Sequence, residues 1–186
     1  MFKALLERIA SKLNQAEIPY MIIGGQAVLL YGEPRLTKDI DITLGIGIDK
    51  LPDLKKIAKN LKLKSLVEKV DDFVQKTMVF PSQDQASGIR VDFIFSFSPY
   101  EKLAIKRSIP IIFSNIPIQF ASLEDVIIHK IFAKRPRDLE DVRTILIKNP
   151  EYDIQYINKW LEKFDLSLEE NFLETFKKIA PTLKAE

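Results

Sequence analysis

The chain has 186 residues, a net charge of +2 at neutral pH, no Cys and a single His. A chain of this length can bury about 70% of its unfolded surface, so it needs no covalent cross-links to hold a core. The lack of Cys excludes disulfides and thiolate zinc sites, and one His excludes any site that needs two imidazoles. The small positive charge does not establish nucleic-acid binding, and it is compatible with an anionic substrate.

The hydrophobic segments of the chain do not resemble targeting or membrane sequences. The N-terminal stretch is amphipathic and carries Glu7, unlike the apolar core of a signal peptide. No apolar run approaches the roughly 20 residues of a membrane span. We therefore expect a cytoplasmic protein with no membrane partner.

Up to residue 120 the sequence alternates between helical and strand patterns. Leu5, Ile9 and Leu13 recur at helical spacing and predict a helix over residues 3–15. The later patterns predict a strand at 19–25, a helix at 26–31, a strand at 38–44, a helix at 49–61, strands at 76–82 and 89–97, a helix at 98–107, and a hairpin of 109–113 with 116–120.

After residue 120 every predicted element is a helix. Ser122 followed by Asp125 resembles a capping box and predicts a helix over 123–133. Helices from Pro136 to residue 149 and over 153–164 and 167–180 follow. Strands mixed with helices, followed by helices alone, predict an α+β fold with a mixed-sheet core at 1–120 and a helical C-terminal part at 121–186 packed on it.

Two aspartates lie one residue apart in the predicted strand at 38–44. Residues two apart point to the same face of a strand, so Asp39 and Asp41 project together while Ile40 and Ile42 face the core. Adjacent carboxylates repel each other, and a divalent cation removes that repulsion. Mg²⁺ prefers one or two carboxylates with water and phosphate oxygens, so the pair predicts a metal site. The alternative is an exposed strand whose charges face water.

Asp92 is an isolated acid in the mostly apolar strand predicted at 89–97. If this strand lies beside that of Asp39 and Asp41, three carboxylates converge. Three carboxylates can hold two Mg²⁺ ions, the arrangement that supports in-line phosphoryl transfer. The alternative is an ion pair between Asp92 and Arg90 on the same face.

Gly24 and Gly25 lie between the predicted strand and the helix that follows it. Glycine allows a ligand to approach the backbone closely and adopts positive φ without strain. The N–H groups at the start of a helix favour anions such as phosphate. The pair therefore predicts a phosphate site, with a tight packing turn as the alternative.

The order of these motifs resembles the nucleotidyltransferase fold of the DNA polymerase β superfamily. The stretch GGQAVLLYGEPRLTKDIDI at 24–42 and the segment HKIFAKRPRDLEDVRTIL at 129–146 are similar to its branch of AbiEii-type toxins. The resemblance covers roughly residues 20–147. Many members of the superfamily have Gly-Ser, whose hydroxyl contacts phosphate, whereas this chain has Gly25 at the second position.

The resemblance implies a Mg²⁺-dependent transfer of NMP from an NTP to an acceptor hydroxyl, with release of pyrophosphate. Asp39, Asp41 and Asp92 would be catalytic and bind two Mg²⁺ ions, and Gly24 and Gly25 would hold the triphosphate. The resemblance also implies a toxin role, with tRNA or protein as the acceptor and a cognate antitoxin as partner. The alternative function is a non-catalytic nucleotide-binding or regulatory protein of the same fold.

Three basic residues are further candidates for nucleotide binding. Arg35 and Lys38 precede the acid pair and could neutralise phosphates or be solvated charges. The resemblance implies that Lys130, which matches a lysine of that family, contacts the nucleotide. The alternative is that Lys130 is an ordinary surface lysine of its helix. The segment KIFAKRPR at 130–137 also allows a nucleic-acid-binding module, although no aromatic residues alternate with its charges in a stacking platform.

Overall fold

Seven strands form one mixed sheet in the computed structural model, which describes residues 2–180. The strands are β1 Tyr20–Ile23, β2 Asp39–Leu44, β3 Leu63–Ser65, β4 Val79–Asp84, β5 Arg90–Phe95, β6 Ile109–Phe113 and β7 Ile116–Phe120. Their order across the sheet is β3-β4-β5-β2-β1-β7-β6. Strand β2 pairs in parallel with β5 and antiparallel with β1. This mixed sheet confirms the predicted α+β class.

The helices are α1 Phe2–Gln15, α2 Gly24–Tyr31, α3 Leu51–Asn60, α4 Val70–Thr77, α5 Pro99–Lys106, α6 Leu123–Ala133, α7 Pro136–Lys148, α8 Ile154–Leu168 and α9 Phe172–Ile179. None of them, within residues 2–180, is long and apolar enough to cross a membrane. The Ser122 hydroxyl accepts a hydrogen bond from the Asp125 amide at 3.2 Å, which starts α6 where the sequence predicts it.

The chain divides into two compact units. The first unit contains residues 1–26 and 37–121, and therefore the whole sheet. The second contains residues 27–36 and 122–186. The predicted domain boundary after residue 120 stays a prediction.

Alternation along the central strands determines which face of the sheet is apolar. Ile40, Ile42 and Leu44 of β2 are completely buried, as are Val91, Phe93 and Phe95 of β5. The residues between them on the same two strands include the acids Asp39, Asp41 and Asp92, which are only partly buried. The apolar rows bind the strands to the core and leave the acids on the opposite face.

The structure differs from the predicted elements in several places, among them the last two helices, which are α8 Ile154–Leu168 and α9 Phe172–Ile179 in place of 153–164 and 167–180. It contains β3 and α4, which the sequence analysis does not predict. It also ends β1 at Ile23, so that Gly24 is already the first residue of α2.

Asp84, at the end of β4, holds the turn that leads into β5. Its carboxylate accepts hydrogen bonds from the Ser87 amide and hydroxyl at 2.9 and 2.6 Å, and Arg8 lies 3.2 Å away. Burial alone would raise the pKa of Asp84, but these hydrogen bonds and the Arg8 charge lower it below its usual value. The acid is therefore ionised in the folded protein at neutral pH.

We expect this carboxylate to make stability depend on pH. A lowered folded-state pKa stabilises the protein above the unfolded pKa of about 3.9, and the contribution disappears as the pH falls through the folded value. The stability lost on Asp84→Asn should therefore be smaller at about pH 3 than at about pH 6. Urea unfolding of both proteins at the two pH values measures this, and an equal loss at both would contradict it.

Candidate functional site

The parallel pairing of β2 with β5 brings the three predicted acids together. In this register Asp39 lies opposite Arg90, and Asp41 lies opposite Asp92. Partners in register on neighbouring strands point to the same face and lie about 4.8 Å apart. The structure therefore places Asp39, Asp41 and Asp92 on one face of the sheet, with Arg90 as the fourth member of the group.

Gly24 lies against the carboxylate of Asp41. Ile23 is the register partner of Asp41, so the chain leaves β1 and enters α2 beside this side chain. Gly24 has a φ of +64°, and a Cβ atom built on it would lie 2.0 Å from Oδ2 of Asp41. Only glycine fits here, because any side chain would meet the carboxylate and strain the backbone.

The neighbouring candidates in the same unit differ in exposure. Gly25 is buried and Lys38 is exposed. The Thr37 hydroxyl is 3.3 Å from Oδ1 of Asp39, which it can hold in place from the same strand end. The nucleotide contact predicted for Lys38 stays a prediction.

The carboxylate of Asp92 is bound by Arg90. Nε of Arg90 donates to both carboxylate oxygens at 2.9 and 3.0 Å, and Nη2 lies 2.9 Å from Oδ2. This hydrogen bonding raises the pKa of Arg90 above its usual value, and attraction by Asp39 and Asp41 adds to the rise. The guanidinium is therefore the counter-charge of the acid cluster in this structure.

The donor atoms of the cluster are carboxylate oxygens, the ligands that Mg²⁺ prefers. Asp39 and Asp41 fit a divalent cation as a pair, and the backbone of Gly24 packs closely against the Asp41 carboxylate. Within residues 2–180, however, no three or more His, Cys, Asp or Glu side chains are arranged so that they could hold a metal ion. The third acid belongs to the same face but is paired with Arg90.

The remaining candidates, Arg35 and Lys130, lie in the second unit, where each binds an aspartate of α7. Nζ of Lys130 is 2.6 Å from Asp138 and 3.0 Å from Asp141. Arg35 donates to both oxygens of Asp141 at 2.8 and 2.9 Å. Arg135 donates to Asp138 at 2.7 Å. The result is a connected network of alternating charges.

Lys130 is not the exposed lysine that the sequence analysis allows as an alternative. Its side chain is 8% exposed, because it points toward the two aspartates of α7. An ammonium group has three N–H donors, and two of them are directed at these carboxylates. A nucleotide contact through the third donor stays a prediction, as does the contact predicted for Arg35.

Three of the four basic residues in the segment 130–137 form ion pairs, whereas Arg137 is exposed and lies 3.4 Å from the Leu36 carbonyl oxygen. Lys130 and Arg135 belong to the charge network, and Lys134 pairs with Glu170 at 2.7 Å while lying over the ring of Phe172. Charges already neutralised within the unit are poorly suited to phosphate binding. The nucleic-acid-binding alternative is therefore weakened.

Several solved structures have a fold similar to that of this chain. The solution structure of the antibiotic-resistance factor ANT(2″)-Ia has a TM-score of 0.63 at 16% identity, over 90% of this chain and 94% of that one. A crystal structure of ANT(2″)-Ia with adenylyl-2″-tobramycin has a TM-score of 0.61 at 16% identity, over 89% and 97%. An antigenic nucleotidyltransferase-like protein from Paracoccidioides brasiliensis has a TM-score of 0.57 at 16% identity, over 93% and 92%. At these identities the likeness establishes the fold.

The sequence comparisons give the family. No curated protein sequence matches the chain. A family model described as "Nucleotidyltransferase of unknown function (DUF6036)" matches residues 1–180. Since the match extends over nearly the whole chain, the protein belongs to this DUF6036 family of nucleotidyltransferases.

Proposed function

We propose that this protein transfers NMP from an NTP to an acceptor hydroxyl in a Mg²⁺-dependent reaction. The observation that carries the proposal is the register of β2 with β5, which sets Asp41 beside Asp92 with Asp39 on the same face. The contact of Gly24 with Asp41 supports it, because that contact joins the predicted phosphate site to the acid cluster.

Each residue has a distinct role in the proposed reaction. Asp39 and Asp41 hold Mg²⁺, which when bound polarises the phosphates and eases loss of the acceptor proton. The backbone at Gly24 and Gly25 binds the triphosphate, and Lys38 adds a positive charge. The acceptor oxygen bonds to the α-phosphorus, the bond to the β-phosphate breaks, and pyrophosphate leaves. Asp92 completes the metal site and assists deprotonation of the acceptor hydroxyl.

The transfer itself is the direct test. The full-length protein is incubated with each α-labelled NTP and Mg²⁺, together with total RNA, tRNA, cell protein or tobramycin as acceptor. Tobramycin is included because ANT(2″)-Ia is solved with its adenylylated form. Label transferred to one acceptor, with pyrophosphate released in equal amount, supports the proposal. No transfer to any of them, together with no Mg-NTP binding, contradicts it.

Asp41→Asn is expected to keep the fold and lose transfer. The substitution removes one of the mutually repelling charges, so the metal-free melting midpoint should stay unchanged or rise slightly. Turnover should fall by more than about 100-fold, because even outer partners of metal ligands typically cost 10–100-fold. Asp72→Asn is the matched control, since it makes the same charge change at an exposed residue of α4. A midpoint several degrees lower in Asp41→Asn would instead indicate a structural acid.

The alternative is a nucleotide-binding or regulatory protein that has lost turnover. The ion pair of Arg90 with Asp92 favours it, because the proposed base is already neutralised in this structure. The two functions differ in one result. Mg-NTP that raises the melting midpoint while no acceptor is labelled supports the regulatory protein.

The AbiEii-like resemblance extends the proposal to a toxin whose acceptor is tRNA or protein and whose partner is a cognate antitoxin. Induced expression of the wild-type protein should then arrest growth, while Asp41→Asn should not. Equal growth of both strains at equal protein levels would contradict the toxin role and leave the transfer reaction to be judged by its own assay.

A further inference from the structure

Arg90 occupies the place of a cation among the three acids. It lies opposite Asp39 in the register, two residues before Asp92 on the same face, and it binds Asp92 through three short contacts. Within residues 2–180 no three carboxylates are arranged to hold a metal ion, and the Asp92 carboxylate is bound to Arg90. The same oxygens cannot accept the guanidinium hydrogen bonds and coordinate a metal ion fully at once.

The two partners differ in how freely they can move. The Arg90 side chain is 53% exposed and begins β5, whereas Asp92 is 15% exposed and lies inside the strand. Arg90 can therefore turn into solvent while Asp92 stays beside Asp41. A guanidinium that leaves costs little solvation, since its charge is already half in water.

We propose that Arg90 is the counter-charge of Asp92 in the metal-free protein and that a divalent cation displaces it to recruit Asp92 into the site. This inference rests on the proposed metal site and adds a residue that controls its occupancy. Arg90 is a positioning residue, because it acts through Asp92. The Arg90 charge offsets the repulsion among the three carboxylates when no metal is bound. It weakens metal binding because it competes with the cation for Asp92.

Melting midpoints measured against Mg²⁺ concentration, without nucleotide, test this in the full-length protein. Without metal, Arg90→Gln should melt about 2–4 °C lower than wild type, because three like charges lose their counter-charge. Its half-saturating Mg²⁺ concentration should be about three- to tenfold lower than that of wild type. Arg90→Lys should lie between the two, since lysine keeps the charge without the bidentate geometry.

Two controls separate this from a general charge effect. Arg143→Gln removes a guanidinium from an exposed pair with Glu140 at 3.8 Å, and it should leave the Mg²⁺ response unchanged. Asp41→Asn should abolish the response, which shows that Mg²⁺ acts at the acid cluster. A merely structural Arg90 would lower the midpoint without shifting the half-saturating concentration.

The outcomes distinguish this inference from the proposed function. Equal half-saturating concentrations for wild type and Arg90→Gln overturn the competition and leave the metal site intact. No Mg²⁺ response in either protein overturns the competition, and the transfer reaction is then judged by its own assay with Mg-NTP. A response in Arg90→Gln at lower Mg²⁺ than in wild type, lost again in the double variant with Asp41→Asn, supports both.

Discussion

Gly24→Ala is expected to lower the free energy of unfolding by roughly 2–5 kcal/mol and to abolish Mg-NTP binding. Its φ of +64° costs an L-residue about 1–2 kcal/mol. The new Cβ atom would lie 2.0 Å from Oδ2 and 2.9 Å from Cγ of Asp41, so the carboxylate must move. Overpacking of this kind typically adds about 1–3 kcal/mol. Urea unfolding measures the stability, and the melting shift with Mg-NTP measures the binding.

Gly88→Ala is the matched control for the free-energy cost of placing a residue with a side chain at positive φ. Gly88 has a φ of +71°, and a Cβ atom there would meet nothing within 4 Å. Its replacement should cost only about 1–2 kcal/mol and leave nucleotide binding intact. Equal losses of stability in the two variants would mean that the contact with Asp41 adds nothing.

Lys130→Met is expected to destabilise the protein by about 3 kcal/mol or more. Lys130 bridges Asp138 and Asp141, and all three side chains are at most 8% exposed. Removing one partner of a buried ion pair typically costs about 3–5 kcal/mol, because the remaining charge is left without compensation. Arg35 still binds Asp141 and Arg135 still binds Asp138 in this variant. The expected loss of stability therefore lies near the lower end of that range. Equilibrium unfolding in urea gives the value.

Two further variants test the origin of that loss. Lys56→Met removes an exposed lysine that lies 3.1 Å from Asp53, and it should cost less than about 1 kcal/mol. Adding Asp138→Asn to Lys130→Met should recover part of the stability, because one uncompensated carboxylate disappears. A double variant less stable than Lys130→Met would exclude charge imbalance as the cause.

Most helices and strands could be predicted because their apolar residues are strictly periodic. The segment at 70–77 could not, since Val70, Phe73 and Val74 are its only apolar residues and Val74 alone is buried. Strand β3 has three residues, of which Leu63 alone is buried, so it carries no alternation to recognise. Both elements are fixed by their neighbours rather than by their own sequence.

Strand periodicity predicts that Asp39 and Asp41 share a face of the sheet. It does not predict which strand lies beside them. Period-two alternation places Asp39 and Asp41 on one face from the sequence alone. The sequence does not show that β5 lies beside β2, because the two strands are far apart in the chain. The sequence also raises Arg90 as a partner for Asp92, and only the structure shows how completely the guanidinium occupies that carboxylate.

The network around Lys130 could not be predicted because its partners come from the next helix. Sequence spacing suggests that Asp138 and Asp141 pair with the arginines beside them. The left-handed residue Lys134, with a φ of 52°, ends α6 and turns the chain so that α7 brings both acids back to Lys130. A tight turn of this kind decides the pairing, and its geometry is not visible in the residue pattern.

The register that sets Asp41 beside Asp92 also bears on the order of folding. The contact closes a loop formed by residues 42–91, which includes β3 and β4, so its loop-closure entropy is larger than that of a hairpin. Hairpins such as β6–β7 need no such closure and can form from local contacts. During synthesis the acid cluster therefore cannot assemble until β5 has emerged and paired with β2. Ligand binding at the cluster then reports on the pairing of β2 with β5, whereas helical content reports only on local structure.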